Sequence, residues 1–149
     1  MSPLVRPLST DDVDALQPLD GNYARRNGCE EIVDDSSLSF YARSGHAFVL
    51  ERSGEVRGFL LGQAVWDGRR PTLLVRRVVA SDQVEREALL EAVTKSAFDA
   101  GVYDLLVELP DADSACESAL ASCGYAPRGS RLFGRVLGTR SRLDAKTAE

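Results

Sequence analysis

The sequence is poor in the residues that build metal sites and disulfide frameworks. Among 149 residues there are one histidine and three cysteines, and no Cys/His group has the spacing of a structural zinc. Three cysteines spread as Cys29, Cys116 and Cys123 make a poor disulfide scaffold, which points to a reducing cytoplasm. No apolar run is long enough to cross a bilayer. The start, Met1 to Pro7, carries no apolar signal-peptide core, so the expectation is a cytoplasmic chain with no membrane segment. Positive charge is also in deficit. Lys and Arg number 18 against 23 Asp and Glu, net -5, which argues against a general nucleic-acid binder. There is no Gly-x-Ser-x-Gly elbow, no Walker-type phosphate loop and no internal repeat.

What is present suits one domain. Hydrophobic residues make up 44% and charged residues 28% of the chain, enough for a real core and too apolar for wholesale disorder. The expected domain is 1–138, followed by a polar tail at 139–149. Charge is blocked along the chain. Residues 1–40 carry net -5, 41–80 net +4, 81–124 net -8 and 125–149 net +4. Such blocks either sit on solvated surface, pair across the fold, or face a ligand of opposite sign.

The local patterns give an element order. Leu4 to Leu8 reads as a short strand. Ser9 to Asp12 offers capping oxygens for a helix with Val13, Leu16 and Leu19 on its apolar face, limited by Pro18 and Gly21 and followed by a loop. Asp34 to Arg43 reads as a second helix closed by Gly45, with Leu38 and Tyr41 facing inward. Ala47–Arg52 and Val56–Trp66 around Ser53-Gly54-Glu55 form a hairpin. Asp67 to Pro71 is a turn, and Thr72–Ala80 is the central strand. Ser81 or Asp82 caps a long helix ended by Gly101. Its core face is Leu89, Ala92, Val93, Ala97 and Ala100, with a Glu91–Lys95 pair opposite. Asp104–Leu109 is a strand, Asp113–Cys123 a helix, and Ser130–Leu137 the last strand. Cys116 and Cys123 fall on one face of that last helix, as core residues. Long helices between strands ask for parallel neighbours, and hairpins for antiparallel ones. The expected fold is α/β (α+β), a mixed, mostly antiparallel sheet with helices on both faces.

Two pieces of sequence carry a family resemblance. Phe48-Val49-Leu50-Glu51-Arg52-Ser53-Gly54-Glu55-Val56-Arg57-Gly58-Phe59 resembles the hairpin of the GNAT superfamily, the Gcn5-related N-acetyltransferases. Ala119-Leu120-Ala121-Ser122-Cys123-Gly124-Tyr125 resembles that family's helix end before its last strands. The likeness covers about Leu4 to Leu137, and what it implies is an acyl-CoA N-acyltransferase-like fold. Fold alone does not give function.

The resemblance also implies where acetyl-CoA and its chemistry would lie. The family binds the pyrophosphate at the start of the helix after the central strand, on a Gln/Arg-x-x-Gly-x-Gly/Ala signature. Glycines there let the backbone approach, and free helix N–H groups receive the anion. The corresponding segment is Ala80-Ser81-Asp82-Gln83-Val84-Glu85-Arg86-Glu87-Ala88 and holds no glycine. By this likeness Val78, Val79, Ala80, Val84, Glu85, Arg86 and Ala88 are the cofactor-binding candidates. Acidic residues crowd the same turn and repel a pyrophosphate, while Arg76, Arg77 or Arg86 could offset them. The position of the family's catalytic tyrosine holds Leu120, which has no proton to give. Tyr125 is the aromatic candidate for a replacement acid, and Glu108, near a strand end, the candidate base.

Single residues have plainer readings beside these. Glu108 reads first as a solvated strand-end carboxylate, and Tyr125 as a core aromatic. Arg76 and Arg77, adjacent on the central strand, point to opposite faces and must find acidic partners or a ligand. His46, at a strand start, is expected at the surface. Two functions stay open. One is an N-acetyltransferase that moves an acetyl group from acetyl-CoA to a small-molecule or protein amine. The other is a catalytically inactive GNAT-like module that binds a ligand or forms a homodimer, motivated by the missing glycines and tyrosine.

Overall fold

Alternating apolar residues build five strands, and in a computed structural model that describes residues 2–66 and 68–138 they form one sheet in the order β1-β2-β3-β4-β5. The polar tail expected at 139–149, and Asp67 of the expected turn, lie outside the described residues. The strands are β1 (Leu4–Pro7), β2 (Phe48–Arg52), β3 (Glu55–Trp66), β4 (Pro71–Val79) and β5 (Asp104–Val107). Neighbours from β1 through β4 pair antiparallel, and only β4 with β5 is parallel. That parallel pair requires a crossover, which the long third helix supplies. The β2–β3 turn places Ser53 and Gly54 at φ 56° and 77°, the two positive angles of a type I′ turn.

The helices are α1 (Val13–Asn27), α2 (Asp35–Ser44), α3 (Gln83–Asp99) and α4 (Ser114–Ser122). α1 and α2 cover one face of the sheet, burying Leu16, Tyr23, Leu38 and Tyr41 against Val49, Phe59, Leu61 and Val79. α3 and α4 cover the other, burying Leu89, Leu90, Val93, Cys116 and Ala119 against Leu50, Leu60, Leu73, Val75 and Val78. Each large apolar side chain so buried contributes about 1.5–3 kcal/mol. Expectation and structure agree on a mixed, mostly antiparallel sheet with helices on both faces.

Four local expectations are corrected. α1 does not stop at Pro18 or Gly21 but continues to Asn27. Pro18 removes one backbone donor, yet the helix gains the burial of Asp20, Tyr23 and Ala24. Gly21 permits a close approach, since a Cβ there would meet Glu31 Oε1 at 2.6 Å. On α3, Leu90 is buried and Ala100 is exposed. Lys95 pairs with Asp99 at 2.6 Å rather than with Glu91. Ser130–Leu137 forms no strand and lies exposed.

Candidate functional site

The site grows from an irregularity in the central strand. Opposite β3, Leu61 pairs with Arg77 and Gly62 with Val75, so Arg76 is the extra residue of a β-bulge. The bulge resets the alternation. Leu73 and Val75 face α3, but Arg77 and Val79 face α1. It also marks where β4 and β5 part. Their pairing ends at Val75 with Val107, so Arg76 to Val79 run on without a fifth-strand partner.

Polar side chains gather at this parting. Arg76 pairs with Glu108 at 2.6 Å, both half-exposed. Tyr41, from α2, feels the charges of Arg76, Glu108 and Arg77, and burial pushes its hydroxyl above the usual tyrosine range. Beneath them lies a buried chain of contacts. Arg77 meets Asp20 of α1 at 2.6 Å and Cys29 Sγ at 3.4 Å, and its guanidinium lies over the Tyr23 ring. The Tyr23 hydroxyl donates to Asp113 at 2.7 Å, and Asp113 caps α4 by accepting from the Cys116 amide at 3.1 Å. Burial, reinforced by Asp113, raises the Tyr23 hydroxyl far above its ordinary value. A helix on one face is thus tied to a helix on the other past the end of β5. The adjacent arginines do find acidic partners, as the strand geometry required.

Beyond the parting, β4 ends in a cleft of about 500 Å³ lined by Leu19, Asn22, Arg25 and Arg26 of α1, Arg57 of β3, and Val79, Ala80 and Ser81. Gly58 keeps β3 close to this corner, for a Cβ there would meet the Val79 carbonyl oxygen at 2.5 Å. Arg25 is turned to Asn22. Among the described residues, Arg26 and Arg57 hydrogen-bond to no other side chain, and Arg57 meets a carboxylate only through the longer-range attraction that helps to lower Asp82, so the cleft presents donors that no carboxylate grips. Sequence reasoning missed these arginines because it ended α1 at Gly21. The signals were the Arg25-Arg26 doublet and the positive balance of residues 41–80.

The start of α3, next to the cleft, is closed on itself. Asp82 is the N-cap and accepts from the Glu85 amide at 2.9 Å. That hydrogen bond, with Arg52 beside it, holds the Asp82 carboxyl below its usual range. Glu85 is 0% exposed and folds back to accept from the Ser81 amide at 2.9 Å, with Arg52 at 3.3 Å. The chain's own carboxylates therefore occupy amides that a bound anion would use.

The expected site residues separate accordingly. Val79 and Ala80 line the cleft, whereas Val78 packs in the α3-side core. Val84 is exposed and Ala88 packs on that same core. Glu85 is committed to Ser81 and Arg52, and Arg86 reaches the Ala80 carbonyl at 3.3 Å. Glu108 is held by Arg76. Tyr125 lies elsewhere, its hydroxyl 3.0 Å from Thr94 on α3, and burial raises it. His46 is buried rather than at the surface, its Nδ1 2.6 Å from Ser96 Oγ, because Gly45 turns the chain under α3. Cys116 is buried and Cys123 packs against the same core. Among the described residues no cluster could hold a metal ion, and no helix is long and apolar enough to cross a membrane.

Comparison with known proteins agrees with this architecture. The wild-type structure of TTHA1254 from Thermus thermophilus is 39% identical, with 92% of this chain and 99% of that one covered at a TM-score of 0.79. A ribosomal-protein-alanine N-acetyltransferase from Brucella melitensis biovar Abortus 2308 is similar at 14% identity, covering 91% and 100%, with a TM-score of 0.72. An aminoglycoside acetyltransferase from an uncultured soil metagenomic sample, solved with sisomicin, is similar at 15% identity, covering 91% and 97%, with a TM-score of 0.70. At such identities these two show the fold alone. No curated protein matches the sequence. The profile of a family described as protein of unknown function, DUF1999, matches residues 4–128. With a sheet parted at a bulged β4, helices on both faces and these neighbours, the chain belongs to the DUF1999 family and has the fold of the GNAT acetyltransferases.

Proposed function

We propose that the protein is an acyl-CoA-dependent N-acyltransferase that holds the phosphates of its cofactor with arginine side chains instead of helix amides. The observation that supports this reading is the arginine cleft at the end of β4, on a fold that solved acetyltransferases share. A fit of acetyl-CoA can be judged on donor chemistry. The α3 turn does not fit, because the Glu85 carboxylate is buried among its amides. The cleft does fit: Arg25, Arg26 and Arg57 offer planar, permanently charged forks suited to phosphate oxygens.

When bound, the cofactor supplies an acyl group activated as a thioester. The chain's own contribution is positioning and electrostatics. The arginines set the anionic end of the cofactor, and the free edge of β4 offers backbone groups to an acyl carbonyl. Tyr41, whose hydroxyl burial pushes above its usual range, lies within the field of Arg76 and Glu108 and is the candidate proton donor there. Glu108 serves as a base only when the Arg76 pair opens. An amine acceptor approaches this pair.

A second reading is favoured by the self-capped α3. A GNAT-fold module that binds another anion in the same cleft needs neither the helix amides nor a catalytic acid. Thermal unfolding with acetyl-CoA, and release of free thiol in the presence of a panel of amines, separates the two. At a hundred times its dissociation constant the cofactor adds about 2.7 kcal/mol. Stabilisation with amine-dependent thiol release supports the acyltransferase. Stabilisation by inorganic diphosphate but not by acetyl-CoA supports the binding module.

A further inference from the structure

The ion pair at the parting of the sheet does little for the fold. Arg76 and Glu108 keep 41% and 36% of their side chains exposed, and an exposed pair of that kind adds little stability. Arg76 is also the extra residue of the bulge, and a bulge re-aims a side chain rather than strengthening the ladder. Its neighbour Arg77 is the structural arginine of the two, 7% exposed and committed to Asp20 at 2.6 Å. Arg76 instead meets Glu108 just after β5, beside the run of β4 that has no fifth-strand partner.

Two opposite charges 2.6 Å apart form a template. A molecule that carries only an ammonium gains Glu108 by displacing Arg76, and leaves that guanidinium unpaired. A molecule that carries only a carboxylate does the reverse. A molecule with both replaces one ion pair by two, its carboxylate on the Arg76 fork and its ammonium on Glu108. Adjacent protein charges require adjacent ligand charges, which is the arrangement of an α-amino acid. Tyr41 of α2 lies within the field of the same two charges.

We infer that the amine acceptor is a free α-amino acid, held as a zwitterion by Arg76 and Glu108. This rests on the acyltransferase reading and adds its substrate class. Glu108 is a base only when its pair with Arg76 opens, and the acceptor's own carboxylate is what opens it. Once the guanidinium is engaged, the Glu108 carboxylate faces the ammonium and takes its proton, leaving a neutral amine and a carboxyl group. An amine without the carboxylate leaves Glu108 locked to Arg76.

Calorimetric titration of the full chain with the α-amino acids, with and without free CoA, tests this. Each amino acid is compared with its primary amide, which keeps the ammonium and the side chain but not the carboxylate. At least one amino acid should bind about tenfold or more tighter than its amide. Arg76→Gln should abolish that preference without weakening the amide, and Glu108→Gln should weaken both. Both side chains are half-exposed, so the variants fold. Binding of no amino acid, an amide that binds as well as its acid, or a preference that survives Arg76→Gln overturns the inference. Acetyl-CoA titrated into the same protein separates the two claims. Acetyl-CoA binding with no amino-acid binding overturns the inference and leaves the acyltransferase. Amino-acid binding without acetyl-CoA binding keeps the zwitterion site but overturns its role as the acceptor site.

Discussion

Asp20→Asn removes one charge from the buried pair that fixes the bulged strand. Asp20 is 1% exposed, with Oδ1 on Arg77 at 2.6 Å and Oδ2 accepting from the amides of Ile32 and Val33 at 2.7 and 3.0 Å. Asparagine keeps the shape and an oxygen for the two amides but leaves the Arg77 guanidinium uncompensated. Breaking such a pair costs about 3–5 kcal/mol. A domain of this size holds about 5–15 kcal/mol in all, so the variant folds but is marginal. With a urea slope near 2 kcal/mol/M, a loss of about 3 kcal/mol lowers the unfolding midpoint by about 1.5 M. Asp20→Ala should be worse by roughly 1–3 kcal/mol for each orphaned amide. Asp20→Asn combined with Arg77→Met should recover part of the loss, because no buried charge remains. A midpoint for Asp20→Asn within about 0.3 M of wild type, or a double variant weaker than the single, would refute the reasoning.

Other outcomes follow from single sites. Burial lowers the His46 pKa, so the unfolded state takes up a proton first. Stability should fall as pH drops below the ordinary histidine value of about 6.5, and His46→Gln should flatten that slope between neutral and mildly acidic pH. Burial and Asp113 push the Cys116 thiol up to about 12. Iodoacetamide at mildly alkaline pH should therefore leave Cys116 unlabelled in the native protein and modify it after unfolding, as read by peptide mass. Gly58→Ala drives a methyl onto the Val79 carbonyl oxygen and should cost about 1–3 kcal/mol in denaturant unfolding.

Much of the fold was legible because local and tertiary signals coincide. Ser53-Gly54 between alternating strands, Asp82 before α3, Asp113 before α4 and Gly45 after α2 stand where the sequence places them. The failures occur where the two signals diverge. Pro18 and Gly21 are helix-breaking locally, but α1 is held by what it buries, above all Asp20 and Tyr23. The alternation of Ser130–Leu137 is a real strand signal, yet alternation alone says nothing of a partner, and the segment has none in one chain among the described residues. Adjacent arginines on β4 announced two faces, but only the bulge decides that Arg77 enters the α1 core. The acidic turn at α3 was legible as a conflict with a bound anion. That Glu85 resolves it by capping Ser81 was not, since the turn-back depends on the position of Arg52 across the sheet.

The central claim is that an anionic cofactor is held by the arginine cleft and not by the start of α3. Calorimetric titration of acetyl-CoA into wild type, Arg26→Ala with Arg57→Ala, and Glu85→Gln tests it most directly. The account predicts saturable binding to wild type, loss of at least about tenfold in affinity with the arginine pair removed, and a change well below tenfold in Glu85→Gln. No binding to wild type, or binding that survives loss of both arginines, would contradict it.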